Sequence, residues 1–339
     1  MLWIPMAAVT VVPLLSAVAS ASMTENIVPR QIHSHNDYSR DTPFFDALKH
    51  GVMSFEADIH VVHSGEYGDI AVAHNFPGFK NHQSLKSLYL DPLEFLLDDA
   101  HARRPNPNGS FSGLYDFAPT KPIQLVLDYK TDGLYLHHRL LRYLDHFRTK
   151  GYLTTYDEVS GNLTEGPVTV VCSGKCRLTD VLAQQPRDIF FDAQLDSLSG
   201  FPHGREVAPL ASTSLQEMFG KLGSRNLNKG RMHRIHQTLE EASLRGMKAR
   251  IWDIPAWPKC VRDATTKQLW EAGVYWTSGD DLGITAKIYD QPRSCPGMGV
   301  CVFSLVAQSM ATFGLVLYGG RAAVRARRRL ILSRARRNQ

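Results

Sequence analysis

Two short stretches carry the chemistry of this chain: His33-Ser34-His35-Asn36-Asp37-Tyr38, and Ser54-Phe55-Glu56-Ala57-Asp58-Ile59 followed by Ala73-His74-Asn75. Side chains repeat every second residue along a strand, so Glu56 and Asp58 project from one face and can place two carboxylates on a hard divalent cation. His33 and His74 flank that pair from neighbouring segments, and imidazole is the side chain best suited to exchange a proton near neutral pH. In Leu125-Val126-Leu127-Asp128-Tyr129-Lys130 the same alternation puts an acid and a lysine on one face. Asp128 is expected as a third metal carboxylate and Lys130 as a cation for a phosphate oxygen. An isolated Asp-x-Lys is more often a structural ion pair, but the company of the other acids and histidines favours a site. Trp252, His35, Asn36 and Asp37 are expected to contact substrate, whereas His50, His60, His63 and His82 read as surface or satisfied histidines.

These residues need a frame that brings them together. Between Gln31 and Asp290 there is no linker, repeat or low-complexity stretch, and short apolar β-rich runs alternate with amphipathic ones. Strands are expected at residues 30–33, 53–61, 123–128, 168–172, 189–192, 209–212, 248–252 and 274–276. Helices are expected at residues 88–102, 134–150, 231–245 and 264–272, where apolar residues recur at three- and four-residue spacing. Strands and crossovers in this number match an α/β fold of the (β/α)8 TIM-type barrel, about 250 residues in size. An open doubly wound sheet is the other arrangement. In the barrel, active sites sit at the C-terminal ends of the strands. His33, Glu56, Asp58, Asp128, Lys130, Trp252 and Asp280 all fall at or just beyond such ends.

The two ends of the chain differ from its middle. Residues 2–21 are apolar without an acid or base and run into small residues at Ala17-Val18-Ala19 and Ala19-Ser20-Ala21, so residues 1–22 are expected to be a signal peptide. Residues 297–320 carry no charge and are followed by Arg321, Arg325, Arg327, Arg328, Arg329, Arg334, Arg336 and Arg337. That asymmetry reads as a transmembrane helix at 297–320 with a basic cytosolic tail at 321–339, and leaves 23–292 for the barrel. A buried or interfacial helix at 297–320 is the alternative. Removing those eight arginines from the formal charge of +5 leaves −3, so the basic balance belongs to the tail and does not indicate a nucleic-acid partner. The expected setting is the secretory pathway, in a single-pass membrane protein whose barrel is lumenal or extracellular. Asn108-Gly109-Ser110 and Asn162-Leu163-Thr164 are glycosylation acceptor sequences. With Cys301 in the expected span, Cys172 with Cys176 and Cys260 with Cys295 is one of three possible pairings.

The ordered set of motifs resembles the phospholipase C-like phosphodiesterase superfamily of barrel enzymes, which includes glycerophosphodiester phosphodiesterases and sphingomyelinase D enzymes. In that pattern a histidine ends the first strand, Glu-x-Asp ends the second, a second histidine follows on a loop, and an acid-x-Lys ends the third. His33, Glu56 with Asp58, His74, and Asp128 with Lys130 match it in order. The closer resemblance is to the fungal altered inheritance of mitochondria protein 6 family. That likeness runs through His33 to Tyr38, the segment from Pro43 to Gly51, Ser54 to Ile59, Ala73-His74-Asn75 and Leu88 to Leu93, and on to Arg250-Ile251-Trp252-Asp253 and Ser278 to Leu282. Ser34 stands where glycerophosphodiesterases carry an arginine, and their following glutamate has no counterpart unless Asp37 takes that role. The resemblance implies metal-assisted phosphodiester chemistry more than glycerophosphodiester specificity.

The expected activity is a metal-dependent phosphoric diester hydrolase, or a lyase forming a cyclic phosphate, acting on a lipid headgroup or a glycerophosphodiester. Glu56, Asp58 and Asp128 would hold Mg2+ or a like divalent cation, and His33 and His74 would serve as base and acid in an order the sequence leaves open. Two other classes compete. His33-x-His35 with Asp280 or Asp281 resembles the zinc site of amidohydrolases, but the expected fifth and sixth strands end without histidine. A membrane-tethered barrel that only binds a phosphorylated ligand is the third reading.

Overall fold

The computed structural model describes residues 23–62, 70–75, 84–105, 111–220 and 227–293. The expected signal segment, span and basic tail lie outside the described residues, as do His63, His82, Asn108, Cys295 and Cys301. Among the described residues no helix is long and apolar enough to cross a membrane. The chain divides into a unit up to Gln291 and a second, Pro292–Gln339, of which only the first two residues are described.

The first unit is a closed parallel barrel. Its strands are β1 (Arg30–Ser34), β2 (Val52–Val61), β3 (Ile123–Tyr129), β4 (Val168–Gly174), β5 (Ile189–Gln194), β6 (Leu210–Ser214), β7 (Lys248–Trp252) and β8 (Trp276–Gly279). Each pairs in parallel with the next, and β8 pairs with β1 to close the ring. All ten residues of β2 are buried, because both faces of a parallel sheet are covered. Its alternation separates Phe55, Ala57 and Ile59, which belong to the apolar core, from Ser54, Glu56 and Asp58, which face the barrel interior. The interior here is polar rather than packed with aliphatic side chains: Gln124 Nε2 donates to Ser54 Oγ at 2.9 Å, and that oxygen meets His33 Nδ1 at 2.8 Å.

All eight expected strands are present, as are three of the four expected helices, at Asp91–Arg103, Lys229–Leu244 and Lys259–Glu271. The stretch expected as one helix at 134–150 breaks at Leu144 into Gly133–Tyr143 and Asp145–Thr149, a turn that buries Phe147 and brings Arg148 Nε within 2.6 Å of Asp188. The helices Leu178–Ala183 and Leu215–Phe219 are too short to show a period in sequence. β8 begins later than expected and continues through Thr277 and Ser278, because hydrogen bonding to β1 in register Ile32↔Thr277 and His33↔Ser278 supports these small polar residues. A short strand, Ile70–Val72, runs antiparallel to the end of β2, and Ala73 N donates to Asp58 O at 3.0 Å. That unexpected pairing places His74 beside Asp58. Asn162 is exposed on a short hairpin formed by Thr155–Asp157 and Asn162–Thr164. Cys172 is disulfide-bonded to Cys176, as one of the expected pairings has it, and Cys260 is exposed.

Candidate metal centre

Three carboxylates converge at the C-terminal mouth of the barrel. Asp58 on β2 is the register partner of Asp128 on β3, and one oxygen each from Glu56, Asp58 and Asp128 lies within 4.8 Å of the others. Lys130 Nζ donates to Asp128 Oδ2 at 2.6 Å and lies 3.2 Å from Asp58 Oδ2. Burial works against ionising Glu56, yet Arg250 and then His33 outweigh it and hold this carboxyl well below its usual range. Asp58 is pushed the other way, by burial and then by the negative charge of Glu56, with Lys130 and His74 offsetting only part of it. Asp128 Oδ1 is buried without a hydrogen-bond partner among the described residues. An all-oxygen donor set with an idle buried oxygen and an acid whose ionisation is disfavoured fits a hard divalent cation, which would relieve both.

The geometry around Asp128 also constrains its neighbour. Gly174 ends β4 at φ +63°, and a Cβ there would lie 2.0 Å from Asp128 Oδ1. Only glycine allows both the backbone conformation and the close approach.

The expected proton carriers take different positions. His33 is fully buried, with Nδ1 2.8 Å from Ser54 Oγ and Nε2 2.9 Å from Glu56 Oε2. Burial, and then the positive charge of Arg250, push its pKa down to about 4 against the pull of Glu56, so the ring is neutral at neutral pH. His74 sits on the other side of the acid pair, 52% exposed, with Nδ1 2.8 Å from Asp58 Oδ2 and its ring stacked on Tyr38. A third imidazole, His35, lies 4.0 Å from Glu56 Oε2 through Nε2, and its Nδ1 is 2.8 Å from Asp280 Oδ1.

Of the residues expected to contact substrate, His35, Asn36 and Trp252 line a cleft of about 850 Å3 that also contains the three acids, His74 and Lys130. Asn36 adopts a left-handed conformation, φ 53°, from which its amide donates to Asp280 Oδ1 at 2.8 Å. Asp37 does not belong with them. Its carboxylate is fully buried, pairs with Arg40 and accepts from Ser34 Oγ, and Arg40 in turn donates to Asp280 O at 2.7 Å. Asp37 therefore fixes the loop after β1 to the end of β8 instead of lining the cleft.

A model of the AIM6-like phosphodiesterase domain matches residues 21–192. A relative from Arthroderma benhamiae, named altered inheritance of mitochondria protein 6 homolog, is 32% identical over 270 residues, covering 77% of this chain and 84% of the relative. The chain belongs to the altered inheritance of mitochondria protein 6 family. Members from Candida glabrata and Lachancea thermotolerans are 31% and 30% identical, over 78% and 79% of this chain and 71% and 67% of their own lengths. No solved structure matches it.

Two cleft residues of this family member have no site role assigned by the motifs, although Arg250 lies within one of them. Arg250 Nη2 donates to Glu56 Oε2 at 3.1 Å, and Asp192, at the end of β5, accepts from Ser212 Oγ while its Oδ1 is buried without a partner among the described residues. Alternation could have found Arg250, since it shares a strand face with Trp252. Asp192 sits in Phe191-Asp192-Ala193, which carries no local signal of a site.

Proposed function

We propose that this chain is a metal-dependent phosphoric diester hydrolase acting on a lipid headgroup or a glycerophosphodiester. The observation that carries the reading is the convergence of Glu56, Asp58 and Asp128 within 4.8 Å beside Lys130, with one histidine bonded to each carboxylate of β2. The phosphodiesterase domain model that matches residues 21–192 supports the same reaction class. Glu56, Asp58 and Asp128 would hold the cation, for which the hard donor set suits Mg2+. When bound, such a cation polarises a phosphodiester oxygen and offsets its charge.

The chain's own residues supply the rest. Lys130, which burial would discharge but which Asp128 and Asp58 keep protonated, places a second positive charge where negative charge develops. His33 is kept neutral and so suits taking a proton from the nucleophile, either water or a hydroxyl of the substrate that would close a cyclic phosphate. His74, half exposed beside Asp58, suits giving a proton to the leaving alkoxide. Because His33 is fully buried while His35 lines the cleft, His35 is the competing candidate for proton acceptor. Trp252 and Asn36 are proposed to contact the alcohol part of the substrate. The proposed setting is the lumenal or extracellular side of a secretory-pathway membrane, and the Cys172–Cys176 disulfide supports an oxidising compartment.

The test is hydrolysis of bis(p-nitrophenyl) phosphate and a lysophospholipid panel by the full chain in detergent, with Mg2+ or EDTA, beside Glu56→Gln. Turnover that needs metal and is lost in the variant is expected. Metal-independent turnover, or undiminished turnover in Glu56→Gln, would reject the site. A folded protein inert toward every diester with every metal would favour the binding barrel instead.

A further inference from the structure

β3 and β4 carry distinct chemistry on their two faces. Asp128 and Tyr129 both border the cleft, but the Tyr129 side chain is buried and its hydroxyl lies 3.4 Å from Nδ1 of His137, on the helix Gly133–Tyr143. On β4, Ser173 lines the cleft, and Cys172, in register with Leu127, is fully buried in the outer layer and bonded to Cys176. His137 is buried too, and its Nε2 has no hydrogen-bond partner among the described residues. An idle buried nitrogen of this kind costs free energy unless something uses it. A ring nitrogen of His137 and the two sulfurs lie within 4.8 Å of one another. Burial lowers the pKa of this imidazole against the pull of Asp180.

We propose that Cys172, Cys176 and His137 form a second metal site once the disulfide is reduced, one that takes Zn2+ or another thiophilic cation. Two electrons and two protons from a dithiol, which closes to its own disulfide, convert the Cys172–Cys176 bond into two thiols. The cation then displaces both thiol protons to solvent and is held by two thiolate sulfurs and one imidazole nitrogen, with a solvent molecule completing four-coordination. Thiolate and imidazole donors select against Mg2+, so the outer site and the carboxylate triad discriminate between cations by hardness. In an oxidising compartment the disulfide ties the loop from Ser173 to Cys176 down, and in a reducing one the cation would tie the same loop to the helix Gly133–Tyr143. Ser173, Gly174 and Lys175 of that loop line the cleft, so either bond fixes part of its wall.

The experiment is titration of the full chain with Co2+ before and after reduction by a phosphine that is then removed. The readouts are the thiolate-to-cobalt charge-transfer absorption, the visible bands of tetrahedral Co2+ and near-ultraviolet circular dichroism. Reduced protein is expected to show both absorptions with one equivalent, while oxidised protein and the Cys172→Ser/Cys176→Ser double variant show neither. His137→Phe is expected to weaken Co2+ binding roughly tenfold or more. Three results would overturn the proposal: no thiolate band in reduced protein that keeps its circular dichroism, a Co2+ affinity unchanged by His137→Phe, or loss of the folded spectrum on reduction. Co2+ at the carboxylate triad gives no thiolate band, so the result is independent of whether the cleft hydrolyses diesters.

Discussion

Arg250 Nη2 lies 3.1 Å from Glu56 Oε2 inside the barrel, in an ion pair joining β7 to β2 across 194 residues of sequence. The side chains are 4% and 6% exposed, so neither charge is compensated by bulk water. The pair keeps Glu56 ionised in a place where burial would otherwise protonate it, and it engages the same oxygen that His33 contacts. Arg250 is thus the residue that makes an anionic pocket tolerable inside the fold.

Replacing Arg250 with Met should therefore be felt most when no cation is bound. Removing one partner of a buried pair typically costs about 3–5 kcal/mol, because the other charge is left uncompensated. The expected result is a clear drop in melting temperature in EDTA, partly recovered by Mg2+, which supplies a replacement positive charge. Equal melting temperatures for wild type and variant in EDTA would show that the pair is not what holds Glu56.

Gly174→Ala tests the contact between β4 and the triad. The added Cβ would meet Asp128 Oδ1 at 2.0 Å and would sit on a backbone at φ +63°, so Asp128 must shift. Displacing an oxygen ligand in this way should raise the Mg2+ concentration needed for half-maximal turnover roughly 10- to 100-fold. Isothermal titration with Mg2+ gives the same comparison without substrate. An unchanged affinity would mean that Asp128 Oδ1 is not a ligand.

Much of this arrangement is legible in the sequence because the alternation of a strand is a strict geometric rule. Glu56 with Asp58, and Asp128 with Lys130, share their faces for that reason, and the register Asp58↔Asp128 then brings them side by side. The closure of the ring is less legible. His35 and Asn36 meet Asp280, some 245 and 244 residues away, only because β8 returns to β1. Asp37 shows the limit of reading motifs as linear sets: it sits among cleft residues in sequence, but the left-handed turn at Asn36 leaves it buried on Arg40. The strand at Ile70–Val72 is only three residues long, too short for a period, yet it decides where His74 lies.

Asp192 gives a pH dependence with a definite sign. Burial raises its pKa from 3.8 to about 7, against the opposing effects of Ser212 and Arg250. A carboxyl whose pKa is higher in the folded state favours folding fully below its unfolded pKa and loses that contribution as pH rises through the folded value. Asp192→Asn, which cannot ionise, should gain on wild type as pH increases from about 5 to about 8, by on the order of 2 kcal/mol. Urea unfolding in EDTA at the two pH values measures the difference. A gap that stays constant, or that narrows toward high pH, would show that Asp192 is ionised in the fold.

Three single variants separate the imidazoles of the cleft, because each makes a different contact. His33 touches Glu56 and Ser54 but is fully buried, His74 touches Asp58 and is half exposed, and His35 lines the cleft on Asp280. A histidine that carries the reacting proton is needed however much metal is present, whereas one that only orients a carboxylate can be replaced by raising the metal concentration. At saturating Mg2+, His33→Ala and His74→Ala are each expected to lower kcat by about 10²–10⁴, the usual worth of general acid–base catalysis, while His35→Ala costs less than about tenfold. The comparison is made on bis(p-nitrophenyl) phosphate, whose good leaving group needs little help from an acid, and on an alkyl diester, whose leaving group does. If His74 is the acid, its loss should be milder on the first substrate than on the second, and loss of His33 should be equally severe on both. Recovery of kcat in His33→Ala at high Mg2+, together with a collapse in His35→Ala, would transfer the proton-accepting role to His35 and leave His33 as the residue that positions Glu56.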